Sequence, residues 1–436
     1  MKKRLAYLLI ITIMLFTTAC GNTLPAETDP TVAEVSNENY LPYEGETLTV
    51  LSMSGPRAEA ARAMIPEFEA VTGAQVEVID YSYQDLYNET LLDLVSYIGS
   101  YDVINIDAKW DGEFSPYLET LDKYIAQDKV DLSVWIDNVL ENCGKWQDTI
   151  VGIPTDCMPQ VFAYRTDLLP DGIPETWMDY RRVLTPINKP TNGMYGIAVS
   201  KSADHLVNMF SYLLWSMGGN WADEDWNITI NSTATRTALN HLNAARYLSD
   251  PECSEWSTED AIQAFLDGKA AVCETWPVVE LLQKGNDPAL SQIVGNWAFD
   301  LIPQDKTGMT SLSGWNAVIP VGSHNKDLAW EWIKMYTSFE MQNKFYDDFL
   351  LFSSRKDFWE QEKLEELRVL REALDHANNP WRIRAFSEAE PEISDAVGSF
   401  ISYQIYQDTA IRRMTNALKT ALENFPPEQN SKNANH

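Results

Sequence analysis

Residues 47–107 alternate strand, helix, strand, helix, strand, and that order restricts the fold more than any other feature of the chain. Thr47 to Met53 is a strand-like run, broken by Ser54-Gly55-Pro56. Met64, Phe68 and Val71 then recur at helical spacing, and Gly73 closes that helix. Gln75 to Asp80 is a second strand. Tyr87, Leu91, Leu94 and Ile98 mark a second helix face, and Tyr101 to Asp107 is a third strand. Crossovers of this length imply a parallel sheet with helices on its faces.

Ligands of such sheets sit beyond the carboxyl ends of the strands. Here those ends are Met53-Ser54-Gly55, Tyr81-Ser82-Tyr83 and Asp107-Ala108-Lys109-Trp110. Further strands are expected at 151–154, 161–164, 195–199, 270–274, 297–303 and 317–320, with helices between them and mostly helix after residue 325. Trp215, Trp330 and Trp332 fall on apolar helix faces and belong in cores.

The first residues give a location. Lys2-Lys3-Arg4, an apolar run from Leu5 to Phe16 and then Thr17-Thr18-Ala19-Cys20 predict a cleaved export signal over 1–19. The cysteine after Ala19 resembles that of bacterial lipoprotein signals. This implies that Cys20 becomes a lipidated N-terminus on the outer face of the cell membrane, with 20–45 as a flexible tether. Residues 426–436 are expected to be a disordered tail. The net charge of −31 disfavours nucleic acid as a partner. Cys143, Cys157, Cys253 and Cys273 leave three pairings open and require none. No CxxC or HExxH spacing points to a metal, and no GxSxG, P-loop or GxGxxG points to a catalytic or nucleotide fold.

Several segments resemble the extracellular solute-binding proteins of ABC importers, the maltose-binding-protein-like group. They are Tyr101-Asp102-Val103-Ile104 with Asp107; Phe114 to Asp122; Gly152-Ile153-Pro154-Thr155-Asp156; and Phe162 to Leu169. Pro174-Glu175-Thr176-Trp177, Phe265 to Val272 ending at Trp276, Ser313 to Ile319, and Lys326 to Trp332 with Gln342 continue the series. Their shared order spans about residues 46–425. The resemblance implies an α/β, two-lobed periplasmic-binding-protein-like fold of type II, each lobe a mostly parallel sheet flanked by helices. Its lobes would be 46–156 with 316–362, and 157–315 with 363–425. The chain would pass between them near 155–160, 310–316 and 360–370.

A ligand would then lie in the interlobe cleft. Trp276 matches the family's stacking tryptophan. Trp110 and Asp107 end the third strand, where an aromatic ring and a hydroxyl acceptor suit a sugar. Asp156, Trp315 and Asn316 flank the two crossing strands. Tyr83 ends the second strand, and Ser54 opens a helix whose free N–H groups suit an anion or hydroxyl. Each also has a plain reading: a turn, a cap or a core residue.

The resemblance implies a lipid-anchored, monomeric receptor without catalysis or cofactor. It would bind a sugar or oligosaccharide and hand it to ABC transporter permease subunits. One alternative is a receptor for a cation such as a polyamine. Another is a glycosidase using two carboxylates from Asp107, Asp156 or Glu274, which needs the pair ~5–10 Å apart.

Overall fold

The computed structural model describes residues 41–201, 203–223, 225–379 and 382–426. The expected signal, Cys20, all but the end of the tether, and residues 427–436 lie outside it. Among the described residues no helix is long and apolar enough to cross a membrane.

The opening alternation folds as its pattern dictates. Strand β1 (Thr47–Met53) leads into helix α1 (Pro56–Thr72). Pro56 suits the first turn, where its missing N–H costs nothing, and left-handed Gly73 stops the helix with its N–H on Glu69 O. Strand β2 (Gln75–Tyr81) follows. Helix α2 (Tyr83–Ser96) is capped by the Ser82 side chain, which accepts from Asp85 N–H. Strand β3 (Val103–Asp107) is buried at every residue, as a central strand must be. Strand β1 pairs in parallel with both β2 and β3.

Two long strands extend this sheet. Strand Thr310–Val318 runs antiparallel to β3, placing Trp315 opposite Asp107. Strand Gly152–Pro159 lies along its other edge, placing Cys157 opposite Gly314, with a bulge between Trp315 and Asn316. The start of the 310–318 strand also pairs in parallel with Ala377–Asn378. A second sheet orders its strands Trp297–Asp300, Phe162–Arg165, Ala270–Cys273, Tyr195–Ala198.

The mostly parallel arrangement expected of each lobe describes the first sheet. In the second, only Tyr195–Ala198 against Ala270–Cys273 is parallel. The reason is connectivity. Phe162–Arg165 continues out of the 152–159 strand with no helix between. Trp297–Asp300, which follows the Val278–Lys284 helix, leads back towards the 310–318 strand and so runs antiparallel to Phe162–Arg165.

Each sheet has its own core. Phe68, Trp330 and Trp332 pack beneath the first. Trp177, Phe210, Trp215 and Trp221 fill the second, covered by the Arg384–Ile401 and Gln407–Asn424 helices. Trp215, Trp330 and Trp332 are core residues, as their helical spacing predicts. A third cluster joins Ala108, Ile136 and Cys143 to Cys157, Val278, Leu364, Leu370 and Leu374. It forms an apolar layer beside the crossing strands. Cys143, Cys157, Cys253 and Cys273 are free thiols, all buried.

Candidate functional site

A cavity of about 390 Å³ opens at the carboxyl ends of the first sheet and reaches across to the second lobe. That size falls within the ordinary range for small-molecule pockets. Arg57, Asp107, Lys109 and Asp156 line it on one side, and His205, Asn208, Thr258, Trp276 and Glu390 on the other.

The first side is a preassembled polar network. Asp107 ends β3, where its Oδ1 accepts from Lys109 N–H at 2.9 Å and so caps the following turn. Its Oδ2 accepts from the Tyr83 hydroxyl at 3.0 Å. The Tyr83 hydroxyl is held far above its ordinary pKa, first by burial and then by the charge of Asp107 beside it; Glu390 of the other lobe adds to the effect. The whole Tyr83 residue is nonetheless 41% exposed, and it stands behind Asp107 without itself lining the cavity. Arg57 stands in the first turn of α1. Its Nε donates to Asp156 Oδ1 at 3.1 Å, and its Nη2 donates to Oδ2. The guanidinium lies 4.3 Å from the centroid of the Trp315 ring.

The other predicted residues fall in different places. Trp276 follows the Ala270–Cys273 strand, is half-buried and lines the cavity. Trp110 and Trp315 are buried behind the wall at 4% and 3% exposure, edge-on to each other, with Tyr83 edge-on to Trp315 and tilted against Trp110. They shape the wall without presenting a face to a ligand. Ser54 is exposed outside the cavity, with its hydroxyl donating to Asp80 Oδ2. Asn316 is fully buried, and its Nδ2 donates to Asp111 Oδ1 at 2.8 Å.

Asp111 also accepts from Gly144 N–H at 3.1 Å and Arg382 Nη1 at 3.0 Å. Burial raises its carboxyl to about 6, against the pull of Arg382. Asn316 therefore belongs to a buried junction between the 310–318 strand, the turn after β3 and the segment that enters the second lobe.

The carboxylates of the glycosidase alternative are not assembled as a catalytic pair. Asp156 is tied to Arg57. Glu274 lies in the second lobe's interior, accepts from the Tyr180 hydroxyl and does not line the cavity; burial raises its carboxyl to about 7.

Arg57, Lys109, His205, Asn208, Thr258 and Glu390 are cavity residues that sequence reasoning did not select. Lys109 lies within the third strand end already named, and Arg57 two residues beyond the first, so the strand-end rule pointed to their neighbourhood without singling them out. Glu390 carries no local signal. It sits beside Pro391 in a helix more than 280 residues beyond Asp107.

The chain matches the family model described as bacterial extracellular solute-binding protein over residues 54–343. A curated relative from Sinorhizobium fredii, named a probable amino-acid ABC transporter periplasmic-binding protein, is 26% identical over 311 residues, 68% of this chain and 70% of that protein. Among solved structures, a solute-binding protein of Agrobacterium radiobacter in complex with ribitol superposes with a TM-score of 0.72 at 23% identity, covering 88% of this chain and 100% of that one. Maltose-bound MalE3 of T. maritima gives a TM-score of 0.74 at 23% identity, covering 86% and 99%. The two-lobed periplasmic-binding-protein-like fold is shared with both.

Proposed function

This chain belongs to the bacterial extracellular solute-binding protein family, and from that premise we propose that it captures a sugar or polyol between its lobes and delivers it to the permease subunits of an ABC transporter. It is a binding protein and not an enzyme. The observation that carries the ligand class is the pairing of a half-buried aromatic, Trp276, with a cavity wall whose two aspartates are already engaged. Asp156 is neutralised by Arg57, and Asp107 holds the Tyr83 hydroxyl and the Lys109 backbone. Lys109 and Glu390 bring opposite charges to opposite sides of the cavity, so the lining offers hydrogen bonds without a one-signed field that demands a charged guest. A sugar or polyol supplies hydroxyls to these groups and a C–H face to the indole. The ribitol and maltose complexes of proteins with this fold are consistent with the same class.

The lobes are taken as 46–156 with 316–362, and 157–315 with 363–425. The 364–377 stretch packs against residues of both, which suits a layer that flexes as they close. A ligand touching Asp107 on one lobe and Trp276 on the other favours the closed state because only that state offers both contacts. Cys20 is proposed as the lipidated N-terminus that holds a monomeric receptor at the outer face of the cell membrane.

The ligand class is tested by calorimetric titration of the protein with pentitols, hexitols, mono- and disaccharides, amino acids and polyamines. Saturable binding of a polyhydroxy compound, recovered unchanged, is expected. Binding of polyamines or amino acids alone overturns the sugar reading. For the anchor, membrane fractions of cells expressing Cys20→Ser should lose the protein to the soluble fraction; equal retention of the variant rejects lipidation at Cys20.

A further inference from the structure

Two of the four buried thiols stand beside one glycine, Gly314, in a single apolar cluster. Gly314 stands directly opposite Cys157. Directly opposed residues of an antiparallel pair project to the same face. The Cys157 N–H turns away from this partner and donates to Phe352 O at 2.9 Å. The Gly314–Cys157 position is therefore of the non-hydrogen-bonded kind, whose Cα atoms lie about 4.5 Å apart and whose side-chain sites are closest. Gly314 has no side chain, and Cys143 fills the space. The Cys143 Sγ lies 2.2 Å from the point a Gly314 Cβ would occupy. Both cysteines belong to one apolar cluster, together with Ala108 and Phe352. Cys157 also lines the ligand cavity, which gives a small reagent a route to it.

We propose that Cys143 and Cys157 form a disulfide when this extracellular-family chain meets a disulfide donor, either a small-molecule disulfide or the oxidised form of a dithiol oxidoreductase. Disulfides form and persist in that setting. The Cys157 thiol gives its proton to water and attacks one sulfur of the donor. The first donor thiolate leaves and takes up a proton. Cys143, deprotonated in turn, attacks the Cys157 sulfur of the mixed disulfide and expels the second donor thiolate. Two thiols of the protein are oxidised to one disulfide, and the donor disulfide is reduced to two thiols.

The Cys157 thiol must first turn from Ser353 O, which it faces at 3.7 Å. Burial holds both thiols well above their ordinary value, so the exchange is slow in the resting fold and accelerates when the strands part. The bridge fastens a cavity-lining residue of the 152–159 strand to the end of the Asp137–Asn142 helix. Cys253 and Cys273 lie in other clusters and remain thiols.

The full chain is incubated with oxidised glutathione in buffer and in sub-denaturing urea, then alkylated, digested and mapped by mass spectrometry. The expected result is a cross-linked peptide pair joining Cys143 to Cys157, with Cys253 and Cys273 alkylated. A raised midpoint of thermal unfolding should accompany it. Cys143→Ser and Cys157→Ser should each lose the cross-link and the thermal gain. Alkylation of all four thiols under both conditions overturns the proposal, as does pairing with Cys253 or Cys273. If a serine variant fails to fold, the wild-type peptide map decides alone.

Discussion

The Arg57 guanidinium lies over the Trp315 indole at 4.3 Å while two of its nitrogens hold the Asp156 carboxylate. One side chain thus covers an aromatic face that would otherwise be open and neutralises an acid that would otherwise be costly. Both effects need a planar, bidentate cation. Arg57→Lys is expected to keep the charge yet lose the fork and the stack. Arg57→Ala should lower stability by about 1–3 kcal/mol, less than for a fully buried pair because the Arg57 side chain is 17% exposed. Urea unfolding of wild type, R57K and R57A should rank them in that order; R57K matching wild type in stability and affinity would remove the special role of the guanidinium.

Trp276→Ala should weaken sugar or polyol binding by about 1–3 kcal/mol with little change in unfolding midpoint, because the ring is half-buried and faces the cavity. Trp110→Ala should act the other way round. Its ring is part of a buried aromatic cluster, so a loss of about 3–5 kcal/mol in stability is expected. Calorimetry and urea titration on both variants separate the two roles.

Tyr83→Phe removes the hydroxyl that donates to Asp107 and leaves the ring packing intact. A loss of about 0.5–1.5 kcal/mol in ligand affinity is expected, since Asp107 would have to find a new donor. An unchanged binding isotherm would exclude Tyr83 from the site.

Glu274 and Asp111 predict a pH dependence of stability. Burial raises Glu274 from 4.5 to about 7 and Asp111 from 3.8 to about 6. A carboxyl whose folded value exceeds its unfolded one takes up its proton first in the folded state. Above the folded value both states are charged and the cost of burial is felt in full. As pH falls from about 7 towards 4 the folded state protonates first and that cost is relieved. Stability should therefore rise on the order of 1–3 kcal/mol per group as the medium is acidified through this window. Glu274→Gln should flatten its share of the slope in urea titrations across pH; an unaltered slope would show that Glu274 is not its source.

Gly314→Ala should destabilise by about 1–3 kcal/mol, because the added methyl meets Cys143 Sγ at 2.2 Å. Combining it with Cys143→Ala should recover part of the loss, a coupling that a double-mutant cycle measures. Simple additivity would argue against that contact.

The alternation through Asp107 was legible because each break is chemical and local: Pro56 at a helix start, Gly73 at its end, Ser82 as a cap. The ends of β2 and β3 gave Tyr83 and Asp107, which the structure joins by a hydrogen bond. What sequence could not decide was the direction in which Trp110, Trp315 and Asn316 turn. Trp110 sits just beyond the end of β3, and Trp315 and Asn316 flank a bulge inside the 310–318 strand, two places where the same backbone can offer a side chain to solvent or to the interior. The choice was made by distant partners. Asn316 is drawn inward by Asp111, 205 positions away, and Trp315 is roofed by Arg57. Glu390 reaches the cavity only through the tertiary placement of a late helix.

The Asp111 junction bears on how such a molecule matures. Its cationic partner, Arg382, is 271 positions downstream. Until nearly the whole polypeptide has been synthesised, that carboxylate has no counter-ion, and an amino-terminal portion folding early would enclose a bare negative charge. The junction is therefore complete only when a late segment of the polypeptide reaches an early one.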